Sequence, residues 1–244
     1  MKSVEFLNHS KKIERIIKGF TLTRSLFVSS LLVGEKYTGK RVLIKSLFPN
    51  TISVDASKKE ELLLALKNNS EIIIYNFEKI VNFDDLSFEN KRIIAIANPI
   101  NNSAKIEKKF AFIYKMPCLE EREDLDELIE YFQHEIEKEL MLQSHIELDR
   151  ESLDLSSNMK SLKASIYKQL MSKTLTAQEI EDILFEYLLK NIEGNNAYRD
   201  NLYLLERPLI KAGLQTYKSQ LKLSKILGLN RNTLRKKIQE HELN

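Results

Sequence analysis

A single cysteine, Cys118, leaves this 244-residue chain without an intramolecular disulfide framework and fits a reducing compartment. Histidine is almost as scarce. His9, His134, His145 and His241 are scattered, no Cys or His pair has ligand spacing, and no metal site is expected. No apolar run approaches the ~20 residues of a bilayer span. The opening MKSVEFLNHSKK also lacks the apolar stretch of a signal peptide. A soluble, cytoplasmic protein is expected. With only 6 Gly and 4 Pro, and with Lys, Glu and Leu abundant, the composition points to a compact, helix-rich fold rather than a disordered or all-β one. An apolar fraction of 43% is enough for a proper core, and the length allows two or three small domains.

What is present is unevenly placed charge. The net charge of +3 conceals a basic end: from Arg207 to Asn244 there are nine Lys or Arg against Glu240 and Glu242, a local +7, which leaves −4 for the rest. Such separation suits a polyanion-binding module attached to an acidic body.

Along the chain, Phe6, Ile13, Ile16 and Ile17 predict a helix within residues 1–24. SLFVSSLLV (25–33), TISVD (51–55), EIIIYN (71–76) and RIIAIAN (92–98) are short apolar runs that read as buried strands, with FAFIYKM (110–116) as a fifth. Helical segments such as KKEELLLALKNN (58–69) lie between them, so the pattern predicts an α/β fold with a parallel sheet covered on both faces. After Pro117 only helices are expected, over 122–142, 158–173 and 176–192, the last opening with Thr176 and Glu179 at capping-box spacing. EGNNAYRD (193–200) reads as a linker.

The last segment holds apolar residues at Leu221, Leu223, Ile226, Leu227, Leu229, Leu234 and Ile238, with Gly228 placed to end one short helix in the left-handed conformation and Asn230 to cap the next. A short helix, a tight turn and a basic second helix describe a helix-turn-helix, whose second helix enters the major groove. Leu229, Leu234 and Ile238 should face inward, and Arg231, Arg235 and Lys236 outward. RPLIKAGLQTYKSQLKLSKILGLNRNTLRKKIQEHELN resembles the C-terminal helix-turn-helix of the Fis family, with Pro208-Leu209 at the start of its first helix. The resemblance implies that Asn230, Arg231, Arg235 and Lys236 touch bases or nearby phosphates and that Ser219 and Gln220 lie against the backbone. Thr233 and Lys237 complete the set expected on double-stranded DNA.

Further upstream, Gly34, Gly39 and Lys40 satisfy G-x-x-x-x-G-K after the first strand, a loop whose N–H groups cradle phosphates. Parts of the usual machinery are absent. Arg41 stands where a Ser or Thr hydroxyl would hold Mg²⁺, Asn76 where a strand-end Asp would, and Phe77 where a catalytic Glu would. Glu78 is adjacent, but strand alternation would send it to the opposite face. Hydrolysis is expected to be disabled, which leaves two alternatives, ATP or ADP held without turnover and an empty structural loop. The segments FLNHSKKIERIIKGFTLTRSLFVSSLLVGEKYTGK, RIIAIANP and MPCLEEREDLDELIEYF are similar, in order, to the AAA+ domain of NtrC-like enhancer-binding proteins. Asn98 matches that family's sensor I residue, and Lys160 stands for the arginine of its sensor II segment. Gly34, Thr38, Gly39, Lys40, Arg41, Asn98 and Lys160 form the expected nucleotide set.

The resemblances together imply a truncated AAA+ parallel sheet over 1–118, a helical lid subdomain over 119–192 and a Fis-type helix-turn-helix over 198–244. Residues 42–71 carry no GAFTGA loop, and Lys115 stands near the place of a trans-acting arginine, so sigma-54 contact is not expected. The function implied is a sequence-specific, DNA-binding transcriptional regulator, a homodimer or higher homo-oligomer, and not an enzyme. Its body would serve oligomerisation or nucleotide sensing. Two alternatives remain: an ATP-binding or ATP-hydrolysing AAA+ protein of the sigma-54 interaction type, and a protein-interaction scaffold.

Overall fold

The computed structural model describes residues 10–80, 86–100 and 108–243; Phe6, His9 and the FLNH start of the AAA+-like segment lie outside them. The chain divides into two compact units, Met1–Thr174 and Leu175–Asn244.

In the first unit the apolar runs become one sheet. Strands β1 (Ser30–Val33), β2 (Ser53–Asp55), β3 (Glu71–Tyr75), β4 (Arg92–Ala97) and β5 (Phe112–Lys115) pair in the order β2-β3-β4-β1-β5, every pairing parallel. Leu31, Ile72, Ile74 and Ile93 point to one face, where Leu62 and Leu66 of α3 (Lys59–Asn68) cover them. Leu32, Ile73, Ile94 and Ile96 point to the other, under α1 (Lys11–Leu22) and α2 (Lys40–Leu47). Two buried faces explain why the strands read as unbroken apolar runs. Each buried Leu or Ile contributes about 1.5–3 kcal/mol.

β1 is shorter than the run that predicted it. Residues 23–26 extend α1 as a 3₁₀ turn, with the Thr23 hydroxyl donating to the carbonyl of Gly19 at 2.9 Å, and Phe27 then reverses the chain at φ 50°. The strand begins only at Ser30.

α4 (Leu125–Glu139) and α5 (Met159–Thr174) pack through Leu128, Ile129, Phe132, Leu162 and Ile166. Ahead of α4, Arg122 and Asp124 are both buried and joined by two bonds, Nε to Oδ1 at 2.8 Å and a terminal nitrogen to Oδ2 at 2.5 Å. α6 (Ala177–Asn191), placed in the lid by the sequence, belongs instead to the second unit. The reason is that the hydrophobic cluster of α4 and α5 takes no residue from it. α6 does open with the expected capping box, Glu179 N–H donating to Thr176 Oγ1 at 3.3 Å and Thr176 N–H to Glu179 Oε2 at 2.7 Å.

Four helices complete the second unit: α7 (Ala197–Asn201), α8 (Tyr203–Tyr217), α9 (Gln220–Ile226) and α10 (Arg231–Glu240). α8 starts five residues before Pro208, which sits inside it rather than at its start. Pro208 is exposed, so the carbonyl that its missing N–H leaves bare can be met by water.

Candidate functional site

The basic end folds as its pattern requires. α9 is capped by Ser219, whose hydroxyl accepts from Lys222 N–H at 3.4 Å, and Gly228 turns the chain at φ 64°. Leu229 N–H returns to the carbonyl of Ser224 at 2.9 Å, and Asn230 Oδ1 accepts from Asn232 N–H at 2.9 Å to open α10. Leu234 and Ile238 fix the buried side of α10 against Ile210 and Leu223. α8 meets α9 at Gly213, where an added Cβ would stand 2.3 Å from Leu223. Leu229 is partly buried as expected, whereas Leu221 and Ile226 face solvent, because the four residues of the core already close it.

Arg231, Thr233, Arg235 and Lys236 are exposed on α10, as are Gln220 of α9 and Asn230 at the turn. Ser219 and Asn230 each spend one side-chain oxygen on a helix cap. Lys237 departs from the expected set. Its ammonium donates to Glu206 Oε1 of α8, and His241 Nε2 lies 3.4 Å from the second oxygen of the same carboxylate. The missed signal is spacing across elements: nothing local to Lys237 announces Glu206. Lys237 therefore fastens α10 to α8, and Lys237→Ala is expected to destabilise the C-terminal unit by about 1 kcal/mol while leaving sequence preference intact. Denaturant melts and duplex competition measure the two. The Lys237 bond, with help from His241, holds the Glu206 carboxyl below its ordinary 4.5. A depressed carboxyl contributes stability that is complete above that ordinary value and is lost as pH falls through the lowered one.

The second constellation lies at the carboxyl ends of the strands. β4 separates β1 from β3, so residues just past β4 and β3 stand beside the loop that follows β1. Thr38, Gly39, Lys40, Arg41 and Asn98 of the expected set line a cleft of about 540 Å³, with Gly39 at φ 92° opening α2. Gly34 and Lys160 do not line it. Gly34 packs against Met116, and the Lys160 ammonium lies over the Tyr37 ring at 5.2 Å. The Thr38 hydroxyl donates within the loop, to the carbonyl of Glu35 at 3.0 Å. Lys40 is buried and donates to the carbonyls of Gly34 and Glu35, with Asn98 Oδ1 3.4 Å away. Burial, only partly offset by nearby Glu78, lowers its pKa to about 8.

Glu78 corrects a sequence expectation. β3 ends at Tyr75, Asn76 takes φ 54°, and residues 77–79 form a 3₁₀ turn, so strand alternation no longer applies. The carboxylate swings into the cleft and accepts from Asn98, from Nδ2 at 2.5 Å and from the backbone N–H at 3.1 Å. Asn158 was also missed. This buried residue donates from Nδ2 to Glu35 Oε2 at 2.9 Å and to the Lys36 carbonyl at 3.1 Å, while its Oδ1 accepts from Leu119 N–H at 2.9 Å. It pins the loop to the start of the helical subdomain.

The model of the family described as bacterial regulatory protein, Fis family, matches residues 202–241. Two curated relatives named DNA-binding protein Fis, from Buchnera aphidicola subsp. Acyrthosiphon pisum strains 5A and APS, are each 40% identical over 63 residues, covering 24% of this chain. The chain spans 64% of the length of these relatives. Among solved structures, NtrX from Brucella abortus in complex with ATP has a TM-score of 0.51 at 13% identity, covering 96% of this chain and 68% of that one. At that identity the likeness speaks for the fold alone, a parallel α/β body with helices after it, and residues 202–241 are similar to the Fis family.

Proposed function

We propose that this chain is a DNA-binding regulator of transcription that reads the major groove with α10 and binds as a homodimer. The observation that carries the proposal is the division of α10, with Leu234 and Ile238 buried and Arg231, Arg235 and Lys236 exposed. Guanidinium groups can bond guanine edges in pairs, and ammonium groups neutralise phosphates. The name of the Fis relatives supports DNA as the partner.

One short recognition helix buries little surface, so two copies on a duplex are needed for useful affinity. α6 supplies the reason to expect a second copy. Ile180, Ile183, Phe185 and Leu189 are large apolar side chains of this helix, interspersed with Glu181, Asp182 and Glu186, and none of its residues is buried. Apolar side chains on a helix ordinarily pack against a neighbouring element. Tyr203, Leu205 and Leu209 of α8 are exposed in the same unit. The α6 and α8 surfaces of two copies would cover one another.

The body is proposed to work without ATP turnover and without sigma-54 contact. Asn76 and Phe77 offer no carboxylate at the end of β3, and α3 alone bridges β2 and β3. Gly39, Lys40 and the position of Glu78 favour turnover, and phosphate release abolished by Lys40→Ala would establish that second reading in its place.

The test of the main proposal is a mobility shift of fragmented genomic DNA by the full chain. A retained subset of duplexes, carrying two chains each and released as salt rises, is the expected result. A folded protein that shifts no duplex at any salt concentration would end the proposal.

A further inference from the structure

An AAA+ type of fold implies a nucleotide held together with Mg²⁺, and the residues at this cleft can be tested for that ion. Magnesium demands hard oxygen ligands in near-octahedral arrangement and gives up water reluctantly. The hydroxyl that should follow the loop lysine is replaced by Arg41, and the carboxylate expected at the end of β3 is replaced by Asn76. Among the described residues no group of three or more His, Cys, Asp or Glu could hold a metal. The cleft does contain Glu78, but its two oxygens accept from the Asn98 amide and backbone N–H.

The geometry goes beyond a missing ligand. An Arg41 terminal nitrogen donates to Asn76 Oδ1 at 2.8 Å, and its guanidinium carbon lies 5.0 Å from the centre of the Tyr75 ring. Asn76 Nδ2 in turn donates to Asp55 Oδ2 at 2.6 Å. A guanidinium thus stands, braced by an amide, an aromatic face and a carboxylate one step removed, where the metal and its ligands would meet. A dication placed there would face a fixed positive charge. The residues do not fit Mg²⁺.

They fit an anion. Among the described residues, Lys36, Lys40, Arg41 and Lys79 line the cleft against the single carboxylate of Glu78. A guanidinium offers a planar fork that matches two oxygens of a phosphate, and it carries its charge at every physiological pH. We propose that this cleft holds the polyphosphate chain of a nucleoside di- or triphosphate without magnesium, the Arg41 guanidinium taking the metal's place. The buried Lys40 ammonium then exchanges its carbonyl partners for phosphate oxygens. This rests on the nucleotide-sensing alternative for the body, of the two that the sequence offers, and is independent of duplex binding by α10.

The experiment titrates the full chain, free of DNA, with fluorescently labelled ADP and ATP, first in EDTA and then in excess Mg²⁺, with inorganic tripolyphosphate as competitor. Affinities equal in the two buffers, or weaker in Mg²⁺, are expected, and tripolyphosphate should displace the label. Arg41→Ala is expected to weaken binding about tenfold, equivalent to about 1.4 kcal/mol, and Arg41→Lys by less. Arg41→Ser combined with Asn76→Asp should make binding depend on Mg²⁺. Wild-type affinity that rises about tenfold on adding Mg²⁺ overturns the proposal, as does the absence of any displaceable signal at millimolar nucleotide. Duplex shifts run on the same preparation separate this failure from failure of the DNA-binding role. The comparison of the two buffers needs no variant, so a substitution that unfolds the protein cannot hide the answer.

Discussion

Replacing Arg231 and Arg235 together with alanine will lower affinity for a selected duplex by roughly a thousandfold, at about 1–3 kcal/mol for each guanidinium that bonds a base edge. Both side chains are exposed on α10 and touch none of the residues that close the core of the C-terminal unit, so the fold should survive the change. Affinity for unrelated DNA should fall far less, because phosphate neutralisation is shared with other cations of the basic end. Lys236→Ala provides the contrast. Its ammonium, 3.7 Å from Glu240 on an exposed flank, would serve as a phosphate contact, and losing it should flatten the salt dependence by a slope of about 0.9 while sequence preference stays. Competition titrations across a salt series separate the two effects. A double variant that kept its preference for the selected duplex would mean that α10 is not the reading helix.

Asp124→Ala is expected to destabilise the first unit by about 3–5 kcal/mol, the cost of removing one member of a buried ion pair. Arg122 and Asp124 side chains are 0% and 2% exposed, so water cannot replace the lost partner. Removing both charges should be milder. Arg122→Met with Asp124→Leu exchanges an ion pair for apolar packing, a swap that is often neutral or stabilising. Urea denaturation of the single and double variants gives the comparison. Equal losses in the two would show that the pair contributes through shape rather than charge.

Much of this architecture is legible in local sequence. The parallel sheet follows from strands apolar on both faces, because burial on two sides leaves no polar alternation. The capping box of α6 follows from Thr176 and Glu179, since a three-residue offset is all the geometry requires. Gly228 at φ 64° follows from the low steric cost at which glycine adopts the left-handed conformation of a tight turn. The site was less legible. Gly39, Lys40 and Arg41 could be assigned from spacing, whereas Asn158 and Glu206 approach from segments more than a hundred and about thirty residues away from the groups they bind.

By itself the sequence determined most elements, their order and the concentration of positive charge at one end, because helix, strand and turn preferences act over a few neighbouring residues, but it read as a linker the segment that holds α7. Tertiary structure decided the rest. It turned Glu78 into the cleft by ending β3 early, drew Lys237 onto Glu206, braced Arg41 with Asn76 and Asp55, and moved α6 into the C-terminal unit. Each of those outcomes depends on which distant groups come within bonding reach once the chain has folded, and local pattern carries no record of that distance.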